Sequence, residues 1–120
     1  MKVCKYNSFS GPQLWKLNGN RLLNKEGLWM SDDEWNFITK FANWIYIEDI
    51  SKAKCLGITN YSKVVLEKIE EYRYGQLWKK GEPNAEGYFT LENYRVAKLM
   101  TATSSTSLEL KGNITKVDNP

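Results

Sequence analysis

The segment MSDDEWNF combines residues that could bind a polyhydroxylated ligand. Asp32 or Asp33 could accept hydrogen bonds from hydroxyl groups, and the Trp35 ring could stack on an apolar face. A pyranose offers both features, so a shallow sugar site pairs an exposed ring with an acidic acceptor and an amide, which Asn43 could supply. The alternative is that Asp32 and Asp33 form a solvated turn and that Trp35 belongs to the core.

A second, weaker constellation lies near the middle of the chain. Asn60 and Tyr61 could provide an amide and a ring, and Gln76 could add a second amide. The alternative interpretation is a simple turn at Asn60-Tyr61, with Gln76 bonded to nearby backbone groups.

The composition excludes most catalytic chemistry. The chain has no His and only two Cys, Cys4 and Cys55, which are too few for a structural zinc site. It also has no Gly-rich phosphate-binding loop. We therefore expect no enzyme activity, no metal and no cofactor. The spacing of the two cysteines leaves open whether they pair.

Charge and hydropathy limit the partners. The 17 basic and 14 acidic residues give a net charge of +3 and are scattered along the chain, so no basic block predicts nucleic-acid binding. No apolar run approaches the roughly 18 residues that a membrane-spanning helix needs, and we expect no membrane insertion. The hydrophobic fraction of 42% fits one globular domain over residues 1–120.

Tryptophan recurs in a similar context along the chain. The tripeptide QLW occurs at Gln13-Leu14-Trp15 and at Gln76-Leu77-Trp78, and Trp44 lies between the two copies. Intervals of about 30 residues predict an internal repeat, with units of roughly 12–42, 43–75 and 76–114. Burial of one indole stabilises a fold by roughly 4 to 6 kcal/mol as an upper estimate. We therefore predict that Trp15, Trp44 and Trp78 are core residues.

Short apolar pieces bounded by turn residues predict an all-β fold. Period-two alternation is clear in WNF, YFTLEN and SLELKG, and turn signals recur about every ten residues. Three such units could close into a barrel capped by hairpins. The alternative is an α+β fold with a helix near residues 63–74, because that Glu- and Lys-rich stretch places Val65, Ile69 and Tyr72 on one helical face.

These motifs resemble those of the ricin B-type lectins, whose repeats end in a Gln-x-Trp signature. Two copies match it, and Ala42-Asn43-Trp44 lacks the Gln. The resemblance covers roughly residues 12–114 and implies a β-trefoil, in which the first QLW would complete the last unit if the chain ends meet. It also implies sugar binding, although the Asp that such lectins carry in each unit is replaced by Met30, Gly57 and Thr101.

Two functions are therefore expected. The first is a non-catalytic, lectin-like module that binds glycans or glycoproteins. The alternative is a protein-interaction β-trefoil, inhibitor-like or growth-factor-like, that works through an exposed loop at residues 79–88, where Gly81 and Pro83 favour a projecting turn. The localisation stays open, and a place within a larger secreted protein is compatible with either function.

Overall fold

The alternating segments form strands throughout the computed structural model, which describes residues 10–28, 33–71, 73–104 and 107–112. The strands of these ranges are β1 (Trp15–Asn18), β2 (Arg21–Asn24), β3 (Trp35–Phe41), β4 (Trp44–Asp49), β5 (Lys54–Thr59), β6 (Lys63–Lys68), β7 (Trp78–Lys80), β8 (Leu91–Asn93), β9 (Leu99–Ala102) and β10 (Leu108–Lys111). β1 pairs with β2, and the others follow the order β3-β4-β5-β6-β10-β9-β8-β7, with a further β4–β7 pairing. The all-β prediction is confirmed.

The alternative helix near residues 63–74 is wrong for the part of that range that the structure describes. Lys63–Lys68 is β6, paired with β5 from Thr59–Lys63 to Lys54–Lys68. Val64 and Leu66 pack against the core. This burial of an alternating apolar face outweighs the weak helix preference of the Glu and Lys residues.

The apolar side chains of the strands converge on one core. Trp15, Trp35 and Trp78 lie in it, at 0%, 3% and 0% exposure, together with Ile47, Leu91 and Met100. Trp15 Nε1 donates to the Met100 carbonyl at 3.0 Å, and Trp78 Nε1 donates to the Leu56 carbonyl at 3.0 Å. The two QLW motifs therefore hold equivalent places, as their repetition predicts.

A threefold repetition of contacts surrounds these tryptophans. In each case a buried Trp that begins a strand lies opposite a buried Asn or Asp that ends the next strand: Trp15–Asn24, Trp35–Asp49 and Trp78–Asn93. The Asx oxygen accepts the backbone N–H two residues further on, from Glu26, Ser51 and Arg95. The residue after each Asx donates its N–H to the carbonyl before the Trp: Lys25 to Leu14, Ile50 to Glu34 and Tyr94 to Leu77.

The sequence predicted Trp44 as the third member of this series, and this is wrong. The third member is Trp35. Trp44 is only half-buried, lies outside the core cluster and packs edge-on against Tyr94, with ring centroids 4.7 Å apart. The residues preceding Trp35 are Asp33 and Glu34 in place of Gln and Leu, which hides the equivalence. The predicted unit boundary at residues 42 and 43 falls on the turn between β3 and β4 and divides one hairpin.

Each of the three tryptophans also joins its own hairpin to another one. Trp15 exchanges two backbone hydrogen bonds with Phe89 at 2.8 Å each, Trp78 pairs with Ile45, and the Trp35 N–H donates to the Asn20 carbonyl. The hairpins β1–β2, β3–β4 and β7–β8 are therefore linked in a ring. This arrangement leaves few open strand edges among them.

The two ends of the described chain meet at Gln13. Its Nε2 donates to the Gly112 carbonyl at 2.6 Å and to Thr101 Oγ1 at 3.1 Å. Gln13 thus joins the start of the described chain to the hairpin β9–β10.

The first of the three units is much shorter than the others. The hairpins β5–β6 and β9–β10, which we call the two caps, follow the Asx turns at Asp49 and Asn93. They pair with each other through Lys63 and Glu109. Only residues 25–34 separate Asn24 from Trp35, and the described part of that segment contains no strand. Among the described residues, the stretch from Trp15 to Glu34 therefore holds two strands, whereas the stretches that begin at Trp35 and at Trp78 hold four each.

Candidate functional site

The structure does not bring together the first predicted constellation. Trp35 is a core residue with 3% exposure, so its ring is not available to stack on a sugar. Asn43 lies in the turn at the far end of the β3–β4 hairpin from Asp33. Asp32 lies outside the described residues. The prediction failed because Trp35, the first residue of β3, faces the core. Trp15 and Trp78, the first residues of β1 and β7, do the same.

Asp33 has a structural partner. Its carboxylate contacts Lys52 Nζ at 3.0 Å, and the same ammonium lies 3.4 Å from the buried carboxylate of Asp49. Burial alone would raise the pKa of Asp49, but hydrogen bonds from its neighbours, including Ser51, and the charge of Lys52 lower it below its ordinary value. This cluster fixes the turn after β4.

Gln76, predicted as an amide for a ligand, is instead a buried structural residue. Its Nε2 donates to Glu67 Oε1 and to the Lys68 carbonyl, at 2.8 Å each, and its Oε1 accepts the Glu70 N–H at 3.0 Å. The Glu67 carboxylate occupies the space beside Gly57, where any Cβ would collide with it. Both N–H donors and the oxygen of the Gln76 amide therefore bond within the fold, and the side chain is fully buried, so a ligand cannot reach it.

The other two residues of the second constellation do lie on an accessible surface. Asn60 and Tyr61 are the first two of the three residues between β5 and β6, with φ of 55° and 58°, and form the central pair of a turn closed by the hydrogen bond from the Ser62 N–H to the Thr59 carbonyl. Positive φ at both central residues is the geometry that favours Asn followed by Gly, and a bulky residue there is unfavourable. Tyr61 is 56% exposed. Arg95 holds it by donating from Nη2 to the Tyr61 hydroxyl at 3.1 Å, with the guanidinium 5.2 Å from the ring centroid.

Tyr61 borders a surface hollow of about 540 Å³, the Tyr61 groove, whose lining includes Asn60, Tyr61, Glu70, Glu71, Arg73, Tyr74 and Arg95. The β5–β6 hairpin supplies Asn60 and Tyr61, and the turn after β8 supplies Arg95. The other four residues, two Glu, one Arg and Tyr74, come from the segment before β7. The groove therefore combines an exposed ring, an amide, carboxylate acceptors and guanidinium donors, which is the set of groups that a sugar ring requires.

The charged groups of the Tyr61 groove are only partly paired with each other. Arg73 Nε donates to Glu67 Oε1 at 3.1 Å, and this hydrogen bond raises the pKa of the guanidinium. Arg73 also contacts Glu70 at 3.6 Å. Within the described residues, Glu71 has no ion-pair partner, and the Arg95 guanidinium contacts only Tyr61. Glu71 and Arg95 are therefore the groups best able to bind a ligand.

A second hollow of about 290 Å³ continues the first. It shares Glu71, Arg73 and Tyr74 with the Tyr61 groove and adds Lys40, Phe41, Tyr46, Leu77 and Tyr94. Tyr74 and Tyr94 lie with centroids 5.3 Å apart and planes 31° from parallel, and Trp44 packs edge-on against Tyr94. We call Trp44, Tyr74 and Tyr94 the aromatic row.

The sequence prediction missed Tyr74, Tyr94 and Arg95. Tyr74 was read as part of a possible helical stretch, and Tyr94 and Arg95 were assigned no role. The repetition did carry a signal for Tyr94 and Arg95, because they directly follow Asn93, and residues in such a turn project from the surface. Their approach to Tyr61 depends on the pairing of the two caps, which local sequence patterns do not encode.

The predicted loop at residues 79–88 is ordered by its own side chains. Asn84 Oδ1 accepts the N–H groups of Glu86 and Tyr88, and Glu86 pairs with Lys25 at 3.3 Å. Residues 82–86 remain exposed. Lys79 and Lys80 line a separate hollow of about 530 Å³ that also includes Asn43.

Other chemistry is sparse in the part of the chain that the structure describes. It holds no group of three or more acidic, His or Cys residues placed to bind a metal ion. Nor does it contain a helix long and apolar enough to cross a membrane. Cys55 is a free, fully buried thiol, and burial, together with the charges of Glu67 and Glu48, raises its pKa to about 12. Such a thiol is a poor nucleophile.

Comparison with protein-family models, with curated proteins and with solved structures gave no match to this chain. The geometry of the Tyr61 groove and the threefold repetition of contacts are therefore the observations on which a function can be argued.

Proposed function

We propose that the chain is a non-catalytic carbohydrate-binding module that binds glycans in the Tyr61 groove. The observation that carries this proposal is Tyr61 itself. Its backbone has a φ of 58° in a turn where glycine is favoured, and more than half of its side chain is exposed. A residue that is unfavourable for its turn and buries little area contributes little to stability, so its presence is best explained by a ligand.

The groups around Tyr61 match the two kinds of surface on a pyranose. The phenol ring can cover the apolar face, while the hydroxyl rim can donate to Glu71 and accept from Arg95 or from the Asn60 amide. Arg95 also fixes the orientation of the ring before binding, which lowers the entropy lost on association.

The fold that we propose for this module is a β-trefoil with an abbreviated first unit. The ring of three hairpins, the equivalent Trp–Asx pairs and the closing contact of Gln13 with Gly112 support it. The units would then begin at Trp15, Trp35 and Trp78. The resemblance to ricin B-type lectins remains part of this proposal, with the binding groups placed at the junction of two caps instead of at the Asp that the lectins carry.

The test is a glycan array on the folded protein, with Arg95→Ala and Lys98→Ala as a matched pair. Both side chains are exposed in the same turn, but only Arg95 reaches the Tyr61 groove. We expect bound glycans for the wild-type protein and for Lys98→Ala, and loss of signal for Arg95→Ala at unchanged thermal stability. An array without any bound glycan for the wild-type protein contradicts the proposal.

A second candidate function is protein binding through residues 79–88. The observation that favours it is the preorganisation of the exposed tip by Asn84 and by the Lys25–Glu86 ion pair. Deletion of residues 82–86 would then abolish capture of a protein partner and leave glycan binding intact. Unchanged capture after that deletion would exclude this function.

A further inference from the structure

The Tyr61 groove does not end at Tyr61. The second hollow shares Glu71, Arg73 and Tyr74 with it, so the two hollows adjoin along these side chains. A single sugar residue stacked on Tyr61 would leave the second hollow empty. The shape therefore suits a ligand that extends in one direction, from Tyr61 across Tyr74.

The second hollow is lined by aromatic rings that remain in contact with water. Tyr74 is 44% exposed, Tyr94 is 42% exposed and Phe41 is 48% exposed. These rings add apolar surface that the core does not use, and clustered exposed aromatics mark binding surfaces. Trp44 stiffens the row by packing edge-on against Tyr94 at 4.7 Å. A stiff row of rings can bind successive apolar faces at low entropic cost.

The charges of the adjoining hollows are nearly balanced, so they give a polyanionic ligand little net attraction. Glu70 and Glu71 stand against Arg73, Arg95 and Lys40, an excess of a single positive charge. The Lys40 ammonium lies 5.2 Å from the centroid of the Tyr46 ring. Carboxylated or sulfated chains would meet two carboxylates as well as three cationic groups, one of which, Arg73, is already in contact with Glu67 and Glu70. A neutral ligand avoids repulsion by the carboxylates and can still use them as acceptors.

From these observations we infer that the site takes a linear, neutral oligosaccharide, with one sugar residue on Tyr61 and the next residues lying across Tyr74 onto Tyr94. This inference rests on the proposed function and specifies its ligand class. The repeated contacts along the row would give affinity through chain length, because each added sugar covers a further ring.

The test is calorimetric titration with neutral β-1,4-linked gluco- and galacto-oligosaccharides, from the monosaccharide to the hexasaccharide, and with galacturonate oligomers as the acidic series. For one neutral series we expect affinity to rise at least about tenfold from the monosaccharide to the trisaccharide and then to level off. We expect no comparable rise, and no strongly salt-dependent binding, for the galacturonates.

Two variants locate the gain. Tyr94→Ala should remove the dependence on chain length and leave the monosaccharide affinity unchanged, whereas Tyr94→Phe, which keeps the ring, should retain the dependence. Equal affinity for all lengths in the wild-type protein, tighter binding of the acidic series, or binding of neither neutral series while the array shows other bound glycans overturns the inference but not the proposed function. Absence of any glycan binding overturns both.

Discussion

Replacement of Tyr61 by glycine should separate binding from stability. A residue with a side chain in the left-handed region costs about 1 to 2 kcal/mol, which glycine would avoid at the φ of 58°. Glycine gives back about 0.5 to 1 kcal/mol through greater freedom of the unfolded chain, and loss of the exposed hydrogen bond from Arg95 costs about 0.5 kcal/mol. The free energy of unfolding should therefore lie between a loss of about 0.5 kcal/mol and a gain of about 1 kcal/mol.

The effect of the same change on binding can be worked out from the exposure of the side chain. Tyr61 is 56% exposed, so about 110 Å² of a side chain of about 200 Å² faces water. A sugar that covers about half of this area gains about 1.5 kcal/mol at about 25 cal/mol per Å². Tyr61→Gly should thus weaken glycan affinity at least about tenfold.

The two effects are measured by thermal unfolding and by titration with a glycan that binds the wild-type protein. An increase in unfolding free energy of about 1 kcal/mol corresponds to roughly 3 to 6 °C in melting temperature for a domain of this size. Ala42→Gly is the matched control, because Ala42 has a φ of 49° in the β3–β4 turn and lies outside both hollows of the site. It should gain similar stability and bind normally. A Tyr61→Gly protein that is destabilised by more than about 1 kcal/mol, or that binds glycan as tightly as the wild-type protein, would refute the reasoning.

Three further outcomes are expected. Asp49→Ala should lower the unfolding free energy by about 1 to 2 kcal/mol in denaturant titration, because it removes the acceptor of the Ser51 and Lys52 N–H groups. Asp49→Asn, the residue type of the two equivalent positions, should cost less than about 1 kcal/mol. Because the folded-state pKa of Asp49 is lowered, its contribution to stability is fully present above the ordinary value of 3.8 and is lost as the pH falls through the lowered value. Acid titration of Asp49→Asn should therefore show a smaller loss of stability than that of the wild-type protein. Identical acid curves would contradict this assignment. Trp78→Phe should cost about 2 to 4 kcal/mol by the same denaturant assay, since it opens a cavity and leaves the Leu56 carbonyl without its donor; a cost below about 1 kcal/mol would argue against the core role. Cys55 should resist Ellman's reagent at pH 8 until the protein unfolds, and stability should decline as the pH rises from the ordinary thiol pKa of 9.0 towards the folded-state value of about 12; rapid labelling of the folded protein would show that the thiol is accessible.

The sequence predicts the strand content and two of the three equivalent tryptophans, because alternation and the QLW motif are local signals. It misplaces the third, since Asp33 and Glu34 replace the motif before Trp35 and the side chain that recurs at the right interval, Trp44, lies on the surface. The interval misled because the equivalent tryptophans are unevenly spaced: Trp35 follows Trp15 by 20 positions (35 − 15), whereas Trp78 follows Trp35 by 43 (78 − 35).

The candidate site was predictable only in part. Asn60 and Tyr61 are recognisable as an amide and a ring in a turn. Their association with Arg95 depends on the pairing of β6 with β10, which brings the third unit beside the second. Long-range strand pairing is set by the whole core, so it leaves no mark in the few residues around the site.

The closure of the chain at Gln13 has a consequence for biosynthesis. Gln13 donates to the carbonyl of Gly112, which is 99 positions away, and Trp15 donates to that of Met100, 85 positions away. Gln13 and Trp15 leave the ribosome long before Met100 and Gly112. Their side-chain donors therefore find these acceptors only after nearly the whole domain has been synthesised. Folding with so many distant contacts is slow, and the emerging chain would keep indoles exposed to chaperones until translation of the domain is finished.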